Sequence, residues 1–267
     1  MDCWDGPEGE PVIYHGWTLT SKLLFKDVIE KGIKPFAFTA SNYPLILSIE
    51  NHCSKVQQDK MAKHLINILG HLLFKENVDT SLQNLPSPAF FKNQILIKAK
   101  KQKERKGSNC SDTAVELHSL RRIQTCSNLK LGEVQSYDDI VNLRNSEEEV
   151  NNVIERQSSN DLEVNRLSVS TKSKLLSGIV NYTEAVKFKG FVEKRKFWEM
   201  SSFNETKITK ILNDEKTQKE FTQYTERNLS RIYPKGSRLL SSNLEPTKLW
   251  AAGCQMVAIN FQQVLHV

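Results

Sequence analysis

The sequence has no C-x-x-C pair, no run of 18 apolar residues and no basic stretch leading into an apolar core at its start. Each absence removes a class of protein. Five cysteines, Cys3, Cys53, Cys110, Cys126 and Cys254, are scattered and odd in number. That spacing suits neither a disulfide framework nor a thiolate zinc site, and it fits a reducing compartment. A spanning helix needs about 20 successive apolar residues, so no transmembrane segment is expected. The opening Met1-Asp2-Cys3-Trp4-Asp5 lacks signal-peptide character. Charge of one sign is also in short supply: 37 Lys and Arg stand against 31 Asp and Glu, a net +6. So small an excess suits an anionic partner such as a phosphorylated lipid, and equally nucleic acid or plain solubility.

What is present is a chain of 267 residues, 39% of them hydrophobic. That is enough for two ordinary domains or one α/β barrel of about 250 residues. Pro11-Val12-Ile13-Tyr14-His15-Gly16 reads as a buried strand stopped by glycine. Residues 21–32 read as a helix with Leu23, Leu24, Val28 and Ile29 on one side. Residues 43–49 form a continuous apolar strand of the parallel-sheet kind. Ser54 and Gln57 then make an S-x-x-Q capping box for a helix carrying Met61, Leu65, Ile68, Leu69 and Leu72. A third strand follows at 95–100.

From Lys101 to about Lys172 the apolar period disappears. The stretch 133–163 holds nine acidic residues against Arg144 and Arg156. This reads as a disordered, charge-patterned linker inserted between two halves. Beyond it, 197–203, 229–234 and 254–261 read as strands, 205–226 as helix, and Glu245-Pro246 as another helix start. Strands alternating with helices on both sides of the linker predict a parallel α/β barrel or open sheet.

Reactive groups in such folds gather where strands end. Strand ends here carry Asp2, His15, Glu50, Lys98, Lys100, Ser202, Arg231 and Tyr233. Two carboxylates are hard ligands for calcium, and histidine exchanges protons near neutrality. Lysines, an arginine and a hydroxyl suit phosphate, and a tyrosine face can pack on a sugar-like ring. Plainer readings stand beside these. His15 can be structural, Glu50 can cap the next helix, Lys98 and Lys100 can be a solvated strand end, and Arg231 with Tyr233 can be a packing pair. His52 and His64 are set aside as metal ligands, because no helical spacing pairs either with a carboxylate.

Longer strings narrow the choice. Asp2-Cys3-Trp4-Asp5-Gly6-Pro7, residues 14–20 (YHGWTLT), 47–53 (LSIENHC), 85–88 (LPSP), 230–234 (SRIYP) and 253–262 (GCQMVAINFQ) occur in one order. The chain resembles the eukaryotic phosphoinositide-specific phospholipase C family, with its X part most similar to the delta, zeta and eta branches. The resemblance implies a distorted (β/α)8 TIM-type barrel, incomplete at about six of eight strands and split by the linker. It implies an X-region half over 1–100, a linker over 101–173, a Y-region half over 174–262 and an atypical tail over 263–267. Met1 then falls within the family's second barrel strand.

The activity implied is calcium-dependent cleavage of phosphatidylinositol 4,5-bisphosphate to diacylglycerol and inositol trisphosphate, at a membrane surface reached from the cytoplasm. Asp2 and Glu50 would be calcium ligands and His15 the catalytic histidine. Lys98, Lys100, Ser202 and Arg231 would hold the ring phosphates, with Tyr233 against the inositol. Leu19 would lie on a membrane-dipping ridge. Because half the family's calcium ligands and one catalytic histidine have no counterpart here, impaired turnover is expected. The alternative is a catalytically inactive inositol-phosphate-binding or regulatory protein. Neither nucleic acid nor a transmembrane segment is implied.

Overall fold

Parallel strands supply the frame. The computed structural model describes residues 1–16, 18, 20–101, 172–191, 195–238 and 242–260. Contacts group Met1–Gly16, Thr20–Lys103 and Lys172–Val267 into one compact unit. A second unit comprises Trp17–Leu19 and Glu104–Thr171, of which only Thr18 is described. The linker expected over 101–173 therefore lies outside the described residues, apart from its ends, where Lys172 Nζ donates to Lys101 O at 3.2 Å.

The strands are β1 (Asp2–Trp4), β2 (Val12–Ile13), β3 (Leu23–Leu24), β4 (Leu45–Ser48), β5 (Glu50–Asn51), β6 (Ile95–Lys98), β7 (Glu184–Val186), β8 (Glu199–Asn204), β9 (Ser230–Tyr233) and β10 (Met256–Val257). β1 pairs with β5, β4 with β6, and β7 through β10 pair in sequence, all parallel. Ile49 N–H donates to Lys98 O at 2.8 Å, and Ala185 N–H to Ala99 O at 3.0 Å, linking these groups into one parallel run. β4 and β5 count as one strand, so seven parallel strands are present among the described residues, the first only three residues long. The order also curls. Three strands separate β5 from β9, yet the Glu50 carboxylate and the Arg231 guanidinium each perturb the other's protonation. Such a sheet must close toward itself.

Several expectations are corrected. Val12–Ile13 is not a strand of the parallel frame; it runs antiparallel to β1 and carries β3 on its other edge. Residues 21–24 are not helical. Leu23 and Leu24 are exposed strand residues, and the helical segment begins at α1 (Phe25–Asp27), continuing as a wider turn through Ile33. Phe25 and Ile29, four residues apart, are its buried pair.

Helix α2 spans Lys55–Leu69 and buries Met61, Ala62, Leu65 and Leu69. The capping box does not form. Asp5 accepts from Ser54 N–H at 3.0 Å and from its hydroxyl at 3.1 Å, while Gln57 turns to Gly6. A charged carboxylate outcompetes the neutral amide at that terminus. Gly70, at φ 57°, ends the helix before Leu72.

Beyond the linker, α3 (Lys174–Gly178) and β7 were not singled out in the sequence, being short and weakly periodic. The helix expected over 205–226 is two, α4 (Glu205–Leu212) and α5 (Glu215–Thr225), divided at Asp214, which caps the second through Thr217 N–H at 2.9 Å. The helix begun by Pro246 is α6 (Thr247–Ala251).

One core packs β4–β6 against α1, α2 and α3, around Leu65, Leu69, Ile95 and Ile97. Another gathers Phe203, Ile208, Phe221 and Tyr224 under β8 and β9. Ser173 fastens the start of the second half to α2. Its hydroxyl donates to Asp59 at 2.5 Å and accepts from Leu176 N–H, and its amide donates to Gln58 at 3.0 Å.

Candidate functional site

Side chains two apart on a strand share a face. Ser48 and Glu50, Lys98 and Lys100, Ser202 and Asn204, and Arg231 and Tyr233 each have that spacing. Register then aligns the sets: Ser48 opposite Lys98, Asp2 opposite Glu50, Ser202 opposite Arg231, and Asn204 opposite Tyr233. The parallel frame thus sets carboxylates and cations side by side on neighbouring strands.

The acidic side is built on β1 and β5. Gly16 N–H donates to Asp2 Oδ2 at 3.0 Å, which brings the chain next to His15 against this carboxylate. His15 itself is exposed, and its amide donates to Thr20 Oγ1 at 3.3 Å. A Cβ at Gly16 would lie 2.4 Å from the Trp4 ring, so only glycine lets the loop approach so closely.

His52, set aside in the sequence, lies between the two carboxylates. Its Nε2 is 3.3 Å from Asp2 Oδ1 and 3.6 Å from Glu50 Oε1, and its ring stacks on Trp4 with centroids 4.0 Å apart. Contact with Asp2, then Glu50, raises the imidazole to about 9 against the opposing effect of burial. Burial tends to raise the Asp2 carboxyl, but His52 and the Gly16 amide together hold it below its usual range. His52 likewise holds Glu50 low. The sequence does carry a signal for His52: Glu50-x-His52 is the period-2 spacing of a strand and not that of a helix face.

The cationic side comes from β6 and β9. Lys98 is 6% exposed, with Nζ 3.4 Å from Ser48 Oγ. Burial, reinforced by Arg231 and Lys100, brings its ammonium down to about 8, and Glu50 only partly offsets this. Burial also lowers Arg231, whose guanidinium carbon lies 5.6 Å from the Tyr233 ring centroid. Lys98 thus lies within electrostatic reach of Arg231, Glu50 and Lys100, and Arg231 within reach of Glu50. Ser202 is aligned beside Arg231 by register. Leu19 lies outside the described residues.

A hard divalent cation suits this donor set in kind. Asp2 Oδ1 is buried, and its approach to His52 is long for a charged hydrogen bond. No cluster of three or more side chains set to hold a metal occurs among the described residues. Calcium takes about 6–8 oxygens. Asp2 and Glu50 are the carboxylates that could contribute to such a shell, with water and ligand oxygens needed for the rest.

A parallel β/α frame with acidic and cationic residues brought together across its strands belongs to the α/β barrel class. Comparison with known proteins makes the class specific. Residues 1–101 match the X domain of phosphatidylinositol-specific phospholipase C, and residues 176–266 match its Y domain. The chain is 45% identical over 266 residues to 1-phosphatidylinositol 4,5-bisphosphate phosphodiesterase delta-3-A of Danio rerio, covering 98% of this chain and 30% of that protein. It is 38% identical over 265 residues to inactive phospholipase C-like protein 2 of Homo sapiens, covering 98% of this chain and 21% of that one. The crystal structure of S. officinalis PLC21 superposes with a TM-score of 0.68 at 32% identity, over 98% of this chain and 29% of that chain. The chain belongs to the phosphoinositide-specific phospholipase C family, and its fold is that family's TIM-type barrel with incomplete sheets. It spans about a third or less of the length of these relatives.

Proposed function

We propose that this chain is the catalytic barrel of a phosphoinositide phospholipase C, built from an X half over 1–100 and a Y half over 174–262 joined by a linker. Its substrate would be phosphatidylinositol 4,5-bisphosphate and its products diacylglycerol and inositol 1,4,5-trisphosphate. The observation that carries this reading is the convergence of Glu50, Lys98, Lys100 and Arg231 at one barrel mouth. A polyphosphorylated ring beside a divalent ion needs that pairing of carboxylates and cations.

In this reading Lys98, Lys100, Ser202 and Arg231 hold the ring phosphates, and Tyr233 lies against the inositol. Asp2 and Glu50 hold calcium, which when bound lowers the pKa of the attacking ring hydroxyl and offsets charge on the phosphate. His15 donates a proton to the departing glycerol oxygen. Leu19 belongs to an apolar ridge that meets the bilayer from the cytoplasmic side. No helix among the described residues is long and apolar enough to cross a membrane.

A second reading, an inositol-phosphate-binding protein without turnover, is favoured by two observations. One relative of comparable identity is named inactive, and no group of three or more side chains set to hold a metal occurs among the described residues. One experiment separates the two. The chain is added to vesicles containing phosphatidylinositol 4,5-bisphosphate with calcium, and inositol phosphate release is measured. Release that falls by roughly 10²–10⁴ in His15→Ala supports the enzyme. Release unchanged by that substitution overturns the assignment of His15. No release, with inositol trisphosphate still raising the melting temperature, supports the binding protein.

A further inference from the structure

One face of β1 seats both the turn that carries His15 and the imidazole of His52. Asp2 and Trp4 are two residues apart on that strand, so they share a face, while Cys3 between them is buried in the core. β2 stops at Ile13, and Tyr14 N–H still donates to Asp2 O at 3.2 Å. The chain then turns back over β1. Gly16 N–H reaches Asp2 Oδ2 at 3.0 Å, and the Gly16 main chain lies against the Trp4 ring. A Cβ at Gly16 would meet Trp4 Cζ2 at 2.4 Å, Cε2 at 3.0 Å and Cη2 at 3.2 Å. Gly16 does not have a left-handed φ, so the ring, and not the backbone conformation, excludes a side chain there.

His52 rests on the same two side chains. Its Nε2 lies 3.3 Å from Asp2 Oδ1, and its ring stacks on Trp4 at 4.0 Å with an interplanar angle of 10°. Tyr14 adds a third ring, tilted by 42° with its centroid 5.6 Å from that of Trp4, and Lys22 Nζ lies 4.8 Å from the Tyr14 centroid. Tyr14 and Gly16 are the two chain neighbours of His15, and Trp4 meets both. The Asp2 carboxylate fixes one amide of this turn. The indole beside it sets how closely the turn can approach the strand, which a single hydrogen bond to a glycine does not.

We propose that Trp4 is a positioning residue for the hydrolytic reaction: its ring sets the height of the Tyr14–Gly16 turn above Asp2 and so the place of His15. The inference rests on the reading of His15 as proton donor. Trp4 acts through the turn and not on the reacting atoms. Proton transfer needs heavy atoms within about 2.6–3.2 Å, and a misplacement of about 1 Å can cost roughly 10²-fold in rate. Lys98 and Arg231, assigned to the ring phosphates, stand on β6 and β9, so substrate binding does not depend on this seat.

The test compares the full chain with Trp4→Leu, Trp4→Phe, Gly16→Ala and the double variant Trp4→Leu with Gly16→Ala. Hydrogen exchange of the Gly16 amide, followed by NMR without lipid or calcium, reads the seat itself. Trp4→Leu should speed that exchange by about tenfold or more while amides of α2 and β6 keep their protection, and Trp4→Phe should stay within about threefold of the unaltered chain. Gly16→Ala should lower the melting temperature, and should lower it less in the Trp4→Leu background, where the added methyl has room. On phosphatidylcholine vesicles containing phosphatidylinositol 4,5-bisphosphate and calcium, Trp4→Leu should lower kcat roughly 10²-fold with KM changed by less than about threefold, and Trp4→Phe should recover most of the rate. Unchanged exchange at Gly16 in Trp4→Leu, exchange raised equally throughout the barrel, or additive effects of the two substitutions overturn the proposal. Release by the unaltered chain with the same kcat in Trp4→Leu overturns the proposal alone. No release by the unaltered chain overturns the hydrolytic reading instead, and the exchange and the double variant then decide whether Trp4 seats the turn.

Discussion

Replacing Lys98 by methionine should make the protein more stable and less able to bind phosphate. Lys98 is 6% exposed, its Nζ lies 3.4 Å from Ser48 Oγ, and its ammonium is brought down to about 8 from an ordinary 10.5. Each pH unit of that difference corresponds to about 1.4 kcal/mol, so keeping the group charged at neutral pH costs the fold about 3 kcal/mol. Methionine has nearly the same length, fills the same space and carries no charge to desolvate. At pH 7 the variant should melt higher by about 6–12 °C, given about 2–4 °C per kcal/mol for a domain of this size. Between pH 8 and 10.5 the unfolded chain holds the lysine proton and the folded chain has released it, so wild-type stability from this group rises with pH. The variant's advantage is therefore full below pH 8 and gone above 10.5. Loss of a charge-assisted phosphate contact, about 1.5–3 kcal/mol, should weaken inositol trisphosphate binding by roughly 10- to 150-fold. Thermal unfolding from pH 6.5 to 10.5, with calorimetric titration of inositol trisphosphate, reads both effects. A variant that melts lower at pH 7, or whose advantage does not change with pH, would refute the account of Lys98.

Gln57 holds the hairpin that leads to His15, accepting from Gly6 N–H at 3.1 Å and donating to Gly6 O at 3.0 Å. Gln57→Ala should cost about 1–3 kcal/mol in urea unfolding, and Gln57→Glu more, because a carboxylate faces the Gly6 carbonyl; an isoenergetic glutamate would exclude the paired contact. His52 should titrate near 9 by NMR, and Asp2→Asn should move that midpoint toward its usual range. The folded state alone holds this proton between pH 6.5 and about 9, so the His52 contribution to stability is full below 6.5 and fades through 9. A wild-type midpoint at 6.5 would remove the carboxylate cage from the site.

Parallel strands were legible because 43–49 is a continuous apolar run, the signature of a strand covered on both faces, and 95–100 opens on one before turning basic. β7 was not, since Glu184-Ala185-Val186 is too short to show any period and acquires its strand character from the neighbours that pair with it. The boundary at Asp214 was missed for a related reason: α4 and α5 are each helical by pattern, and only the side-chain cap on Thr217 separates them. Ser54 and Gln57 show the limit of a local motif, because Asp5, 49 residues earlier, supplied a stronger acceptor than the box could.

The order of residue types along the chain was enough to specify the family, the alternation of strand and helix, and which strand ends carry charge, because these follow from strings and periods that need no partner. Register, curl and electrostatics belong to the tertiary structure. Only there does Glu50, on one strand, come within reach of Arg231, 181 positions later, and does His52 insert between two carboxylates. Energies of charge depend on distance and burial, and neither is set until the sheet has closed.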